Sequence, residues 1–125
     1  MELHESGEMY LETIYILSKE KTDLHAIDIS EYMGYSKPSV SRAVGILKNE
    51  GYITVDEHLH IRLTDTGKKI AKKIYERHNV IAELLCSIGV DSKTALEDAC
   101  RIEHVISDKS FAELKKYMKS KKENS

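Results

Sequence analysis

The chain has 125 residues and a mass of 14.3 kDa, and 41% of its residues are apolar and 32% are charged. This composition fits one compact unit or two very small ones and excludes disordered, collagen-like and low-complexity proteins. No apolar run approaches the roughly 20 residues that cross a bilayer, and the N-terminus lacks the basic-then-apolar pattern of a secretion signal. Only two cysteines are present, so a disulfide framework is not expected. We therefore expect a cytoplasmic protein with no membrane partner.

The formal net charge of −2 hides a segregation of charge along the chain. Residues 1–35 carry two lysines against eight acids, for a net charge of −6. Residues 36–77 carry nine lysines and arginines against five acids, for a net charge of +4, and residues 78–125 balance at eight against eight. The middle third is therefore the part of the chain that is expected to meet an anionic partner.

Apolar periodicity and capping signals predict six helices, with a hairpin of period-two alternation between the third and the fourth. The third helix is capped by Ser36 and tolerates Pro38 in its first turn. The fourth is capped by Thr64 and changes midway from a lysine-rich to an apolar stretch. The predicted helices cover approximately residues 5–19, 26–33, 37–50, 65–88, 92–107 and 111–118, and the predicted strands 52–55 and 59–63.

The third predicted helix turns Val40, Val44 and Leu47 inward and small polar residues with an arginine outward. The predicted elements follow the order of a winged helix-turn-helix, which is a helix, a short helix, a turn, a further helix and a basic hairpin. The last helix and the hairpin coincide with the basic third of the chain. Each of these polar residues taken singly is more simply an ordinary solvated side chain, but the ordered array indicates double-stranded DNA, with Arg42 as the best candidate for reading a guanine. The candidates for contacts to bases and phosphates are Lys37, Pro38, Ser39, Ser41, Arg42, Lys48, His60 and Arg62.

A second group of residues points to a metal ion. Cys100, Glu103 and His104 recur at positions i, i+3 and i+4 of the fifth predicted helix and so share one side of it. Thiolate, carboxylate and imidazole form part of a metal site, although three ligands from one helix cannot surround a cation. The spacing leaves open the alternative that these are ordinary packing residues. The candidates for further ligands are Met9, Glu12 and His78.

Four stretches together resemble the diphtheria toxin repressor family of metal-dependent transcription regulators: residues 8–15 (EMYLETIY), 36–41 (SKPSVS), 63–67 (LTDTG) and 99–108 (ACRIEHVISD). The resemblance runs from about residue 5 to residue 118 and implies a mainly α fold. It implies an N-terminal winged helix-turn-helix DNA-binding domain over 1–72 and a C-terminal helical metal-binding and dimerisation domain over 73–125. It also implies a homodimer, most simply a repressor, in which a divalent cation activates binding to a palindromic operator.

The resemblance also assigns ligands, and they are of two kinds. Met9, Cys100, Glu103 and His104 match the primary metal site of the iron-responsive branch, whereas Glu12 and His78 match ligand positions of the manganese-responsive branch. One or two divalent cations per subunit are implied, with Fe(II) leading because sulfur ligands are soft, and Mn(II) second. The departures from the iron branch are Leu96 and Ala82 at its ancillary site, Glu83 displaced by one position, and a chain that ends before the third, SH3-like domain.

Two alternatives stay open at this point. One is a winged-helix regulator that responds to a small molecule, in which residues 100, 103 and 104 merely pack, and the other is a metal-binding protein with no DNA role. An enzyme is not expected, because Cys100 and His104 as nucleophile and base would lack a third orienting group and a recognisable oxyanion site.

Overall fold

The computed structural model describes residues 5–123, and within them it has six helices and one two-stranded sheet. The chain forms two compact units, Met1–Lys72 and Lys73–Ser125. No helix among the described residues combines the length and the apolar character needed to cross a membrane. In chain order the elements are α1 (Glu5–Ser18), α2 (Ala26–Met33), α3 (Lys37–Asn49), β1 (Ile53–Val55), β2 (Ile61–Leu63), α4 (Asp65–Ser87), α5 (Ser92–Ile102) and α6 (Asp108–Glu123).

The first unit packs α1, α2 and α3 around one apolar core beneath the hairpin. The predicted inward faces are confirmed, since Val40 and Leu47 of α3 are buried and Val44 packs partly against them. β1 and β2 are antiparallel with Thr54 opposite Arg62. The remaining fully buried side chains of this core include Leu11, Ile14, Leu24, Ile29 and Ile53.

Local capping explains where the helices of the first unit begin and end. The Ser36 hydroxyl accepts a hydrogen bond from the backbone N–H of Ser39, so the predicted N-cap of α3 is confirmed. Gly34 ends α2 with a φ of 73°, a left-handed conformation that glycine adopts without steric cost. The Thr64 hydroxyl accepts from the N–H of Gly67 at 3.1 Å and so caps α4, as predicted.

Gly67 has a second role in the first turn of α4. A Cβ atom at this position would lie directly against the backbone carbonyl group of Tyr52, at the start of the hairpin. The same carbonyl oxygen accepts a hydrogen bond from the N–H of Thr64 at 3.1 Å. The helix therefore approaches the backbone of the hairpin at a distance that only a residue without a side chain allows.

The second unit consists of the later part of α4 with α5 and α6. Ile81 and Ala82 of α4 pack against Ala99 of α5, and partly buried apolar residues surround them. Ion pairs join α4 to α6, including Glu76 with Lys115 at 3.0 Å and Glu83 with Lys122 at 2.7 Å. Lys122 belongs to the lysine-rich stretch near the C-terminus, and this stretch is part of α6.

The structure corrects the predicted bounds of the last two helices. α5 ends at Ile102 rather than near residue 107, and α6 is longer at both ends than 111–118. After Ile102 the chain turns, and the N–H groups of Val105 and Ile106 both donate to the Ile102 carbonyl at 3.0 Å. The Ser107 hydroxyl then accepts from the N–H of Ser110 and starts α6, as N-cap side chains do. Apolar periodicity continues through this turn, so the sequence pattern predicts helix where the chain in fact turns.

Candidate metal centre and DNA-facing surface

The second unit brings together three of the predicted metal ligands. Ligand atoms of Cys100, Glu103 and His104 all lie within 4.8 Å of one another. Donors that share one ion at about 2.0–2.3 Å are separated by roughly 3–4.5 Å, so this cluster is close to a binding arrangement. The predicted grouping holds although the predicted local structure was wrong. Cys100 lies in the last turn of α5, but Glu103 and His104 lie in the turn that follows it.

The Glu103 carboxylate lies at the middle of this cluster and is 1% exposed. Its Oε2 is 2.9 Å from Nδ1 of His78, which α4 contributes, and its Oε1 is 3.2 Å from Nε2 of His104. The His104 side chain is fully buried. The structure thus adds His78 to the three ligands from α5 and its turn, which gives one thiol, one carboxylate and two imidazoles within the second unit.

This donor set fits a transition-metal ion. Taking a carboxylate out of water costs free energy unless a charge compensates it, and a divalent cation between the carboxylate and neutral imidazoles supplies that compensation. Imidazole ligands suit Fe and Zn, and carboxylates suit Mn, whereas Mg and Ca favour oxygen ligands alone. We therefore regard the residues around Glu103 as a candidate metal centre.

The other two predicted ligands, Met9 and Glu12, belong to the first unit. They lie one turn apart on α1, where Met9 is half-buried and Glu12 is 8% exposed. The backbone carbonyl of Met9 accepts a hydrogen bond from the Thr13 hydroxyl at 2.9 Å. Their role as ligands stays a prediction.

The sequence analysis did not single out Arg77, which precedes His78 on α4 and is 8% exposed. It donates hydrogen bonds to backbone carbonyl groups of the ligand-bearing turn. The sequence pattern does not indicate that this arginine is buried, because it lies in a helix rich in charged residues. Its position next to the predicted ligand His78 is the one feature that could have drawn attention to it.

The outward face of α3 carries six of the predicted DNA-contacting side chains, and the hairpin carries the other two, His60 and Arg62. Most of these side chains are exposed, while His60 of the hairpin is half-buried. The arrangement satisfies the first requirement for contact with DNA, although contact itself stays a prediction. The exposed members are Lys37, Pro38, Ser39, Ser41, Arg42, Lys48 and Arg62.

The turn of the hairpin is organised by Asp56, which the sequence analysis did not identify. Its Oδ1 accepts from the backbone N–H groups of His58 at 2.8 Å and His60 at 2.9 Å, and the second bond is the main cause of a lowered pKa of this carboxyl. Its Oδ2 lies 3.5 Å from Nη1 of Arg62. An aspartate at the start of a turn is a signal for such bonds. Asp56 therefore positions His60 and Arg62, which are both predicted to contact DNA.

Two family models cover the chain almost end to end. Residues 2–61 match the model described as iron dependent repressor, N-terminal DNA binding domain. Residues 64–125 match iron dependent repressor, metal binding and dimerisation domain. The chain belongs to the iron-dependent repressor family. The predicted fold class is confirmed, and so is the expectation of a transcription regulator rather than an enzyme.

Individual members of this repressor family support the assignment. An HTH-type transcriptional regulator of Methanocaldococcus jannaschii is 32% identical over 123 residues, which cover 97% of this chain and 98% of that protein. The diphtheria toxin repressor of Corynebacterium diphtheriae is 34% identical over 119 residues, 94% of this chain and 53% of that protein. The solved structure of the manganese regulator SloR is 29% identical, with a TM-score of 0.80, and the match covers 95% of this chain and 55% of that chain.

The chain thus spans about half the length of two of these relatives. Family members that respond to iron and to manganese are both among its matches. The resemblance drawn from its sequence motifs is confirmed at the level of the family, whose members bind metal, bind DNA through the N-terminal domain and dimerise through the C-terminal domain.

Proposed function

We propose that this protein is a metal-dependent transcriptional repressor. In this proposal Fe(II) or Mn(II) binds to a homodimer, one or two ions per subunit, and activates its binding to a palindromic operator in genes of metal homeostasis. Residues 1–72 form the DNA-binding domain and residues 73–125 the metal-binding and dimerisation domain. The observation that carries the proposal is the buried Glu103 carboxylate between His78 and His104, in a chain that belongs to a family of metal-binding repressors.

The ligand set of the proposed site is a hybrid. Cys100, Glu103, His104 and His78 converge in the second unit, and we propose that Met9 and Glu12 complete the coordination. The mixture of sulfur and carboxylate donors is compatible with either ion, but the soft sulfur atoms of Met9 and Cys100 favour Fe(II). If the ion binds the DNA-competent state more tightly, linkage requires that DNA tighten metal binding in return.

The second unit also supplies a reason for dimerisation. Large apolar side chains are exposed on it, among them Ile88 at 68% and Leu96 at 51%. Apolar surface of this kind is typical of subunit interfaces when it is contiguous. A homodimer would present two copies of α3, and two-fold related recognition helices read palindromic half-sites.

DNA selection under defined metal conditions tests the proposal. We expect anaerobic protein with Fe(II) or Mn(II) to enrich a palindromic sequence from a genomic library at one stated salt concentration, and protein with chelator to enrich none. Arg42→Ala should weaken binding to the enriched site by about 10-fold or more, because a bidentate contact to guanine is worth about 1–3 kcal/mol. Metal binding should not change.

Lys109→Ala, which removes an exposed cation from α6, is the matched control and should leave operator binding unchanged. If the same sequence is enriched with and without metal, the protein binds DNA but metal does not control that binding. Metal binding without enrichment of any sequence would favour a metal-binding protein with no DNA role, and enrichment that needs a metabolite instead would favour a small-molecule regulator.

Replacing Met9 with aspartate should shift the metal response. A carboxylate at this position is harder than a thioether, so Met9→Asp is expected to raise the ratio of Mn(II) to Fe(II) affinity by about 10-fold relative to the unchanged protein. Anaerobic competition titrations measure that ratio directly. Met9→Leu is the control, because it removes the sulfur atom without adding a charge. Met33→Asp would not serve, because Met33 packs against the core. An unchanged ratio would mean that Met9 does not select the ion.

A further inference from the structure

Two residues of the candidate metal centre lie in the turn between α5 and α6, outside any helix. α5 ends at Ile102, and Glu103 and His104 follow it. Carbonyl groups at the C-terminal end of a helix have no partner within the helix and must find one elsewhere. A turn whose carbonyl groups lacked partners would not keep a carboxylate and an imidazole in one arrangement.

Arg77 of α4 supplies those partners from one side chain that is 10% exposed. Its Nη1 donates to the carbonyl oxygen of Glu103 at 3.2 Å and to that of Ile106 at 2.8 Å. Its Nη2 forms an ion pair with Asp108, at the first residue of α6. The guanidinium carbon lies 5.5 Å from the centre of the Phe111 ring, within the range of a cation–π contact. One guanidinium group therefore joins α4 to the beginning and the end of the turn.

Neighbouring residues of α4 hold the same ligand at two points. His78 contacts the side-chain carboxylate of Glu103, and Arg77 contacts its backbone carbonyl. We propose that Arg77 is a positioning residue for the metal centre, which fixes the turn so that Glu103 and His104 are oriented before the ion arrives. This inference rests on the proposed function, and it goes beyond it by assigning a role to a residue that binds no metal.

Arginine is the side chain that this role requires. Its planar fork reaches two carbonyl groups and a carboxylate at once, whereas lysine is a point charge on a flexible stem. The ion pair with Asp108 alone does not explain the burial of Arg77, because Lys73 already lies 2.9 Å from the same carboxylate. Partners that orient metal ligands are typically worth about 10–100-fold in metal affinity.

Titration of Mn(II) into the full-length metal-free protein tests the inference. We expect Arg77→Lys to weaken Mn(II) binding by about 10-fold or more. Hydrogen exchange of the metal-free protein provides a second readout, and the N–H groups of Val105 and Ile106, which donate to Ile102 in the turn, should exchange faster in the variant. Asp108→Asn keeps both bonds to carbonyl groups and should change affinity by less than about 3-fold.

Lys115→Met is the matched control, because it also removes one cation that links α4 to α6, through Glu76, but leaves the turn alone. It should change neither readout. If Arg77→Lys loses its helical circular dichroism, Arg77→Gln replaces it, since glutamine keeps a planar donor for one carbonyl group. Mn(II) affinity of the Arg77 variant within 2-fold of the unchanged protein would overturn the inference, whether or not exchange is faster.

Failure of the proposed function gives a different result. In that case the unchanged protein takes up neither Mn(II) nor Fe(II), and no role in metal binding is left for Arg77 to support. If instead the unchanged protein binds Mn(II) and Arg77→Lys binds it equally well, the proposed function stands and only the positioning role is lost.

Discussion

Replacing Glu103 with glutamine is expected to lower the affinity for Mn(II) by at least about 100-fold, because the change removes the negative charge at the middle of the metal centre. The Glu103 carboxylate is 1% exposed and lies between the imidazoles of His78 and His104. An amide of the same shape keeps partners for both rings but supplies no charge to a divalent cation. If the proposed function holds, metal-dependent operator binding is lost with it.

Isothermal titration of metal-free protein with Mn(II), together with a thermal unfolding curve, separates loss of the site from loss of the fold. The midpoint of unfolding of the metal-free variant should stay close to that of the unchanged protein, since a neutral side chain is buried more easily than a charged one. Asp98→Asn is the matched control. It removes a carboxylate from α5 that pairs with exposed Arg101 and should leave Mn(II) affinity unchanged. Retention of full affinity by Glu103→Gln would rule out the cluster as a metal centre.

Gly67→Ala is expected to destabilise the protein by about 3 kcal/mol or more. Helix propensity alone predicts the opposite sign, a gain of about 1 kcal/mol, since alanine is the better helix former. Steric overlap outweighs this gain, because the added Cβ atom would lie directly against the backbone carbonyl group of Tyr52. The net change in the free energy of unfolding is therefore a loss. A backbone group cannot move aside as the end of a flexible side chain can, so α4 would have to shift away from the hairpin.

Gly45→Ala provides the matched control in α3. Nothing lies within 4 Å of a Cβ atom built there, so the propensity gain of about 0.5–1 kcal/mol should appear unopposed. Urea unfolding of both variants, monitored by circular dichroism on metal-free protein, measures the two free energies of unfolding. A stability of Gly67→Ala equal to or above that of the unchanged protein would show that the backbones of α4 and the hairpin are farther apart than described.

The order of helices and the hairpin could be predicted because the signals are local. Ser36 and Thr64 cap their helices through hydrogen bonds to residues three positions away, and Gly34 ends α2 by its own conformation. Apolar periodicity predicted the buried face of α3 for the same reason, since it depends on helix geometry alone. The prediction was wrong at the end of α5, because apolar residues continue through the turn and Ser107, which caps α6, was assigned to the end of the preceding helix.

The candidate metal centre was predicted in composition but not in geometry. The spacing of Cys100, Glu103 and His104 indicated a shared side of one helix, yet the last two lie in a turn. Their grouping survives because a tight turn after a helix keeps residues i, i+3 and i+4 close in space. What holds that turn, the guanidinium of Arg77, comes from a residue 26 positions earlier in the chain than Glu103.

By itself the sequence determined the family, the order of elements, the exposed basic face of α3 and the residue types of the candidate metal centre. Each depends on neighbours within a few positions or on a motif that can be read directly. Only the tertiary structure decided that Arg77 is buried beside the candidate ligands and that Gly67 leaves room for the Tyr52 carbonyl group. Both depend on which distant backbone groups approach the residue, and no local propensity or charge pattern encodes that distance.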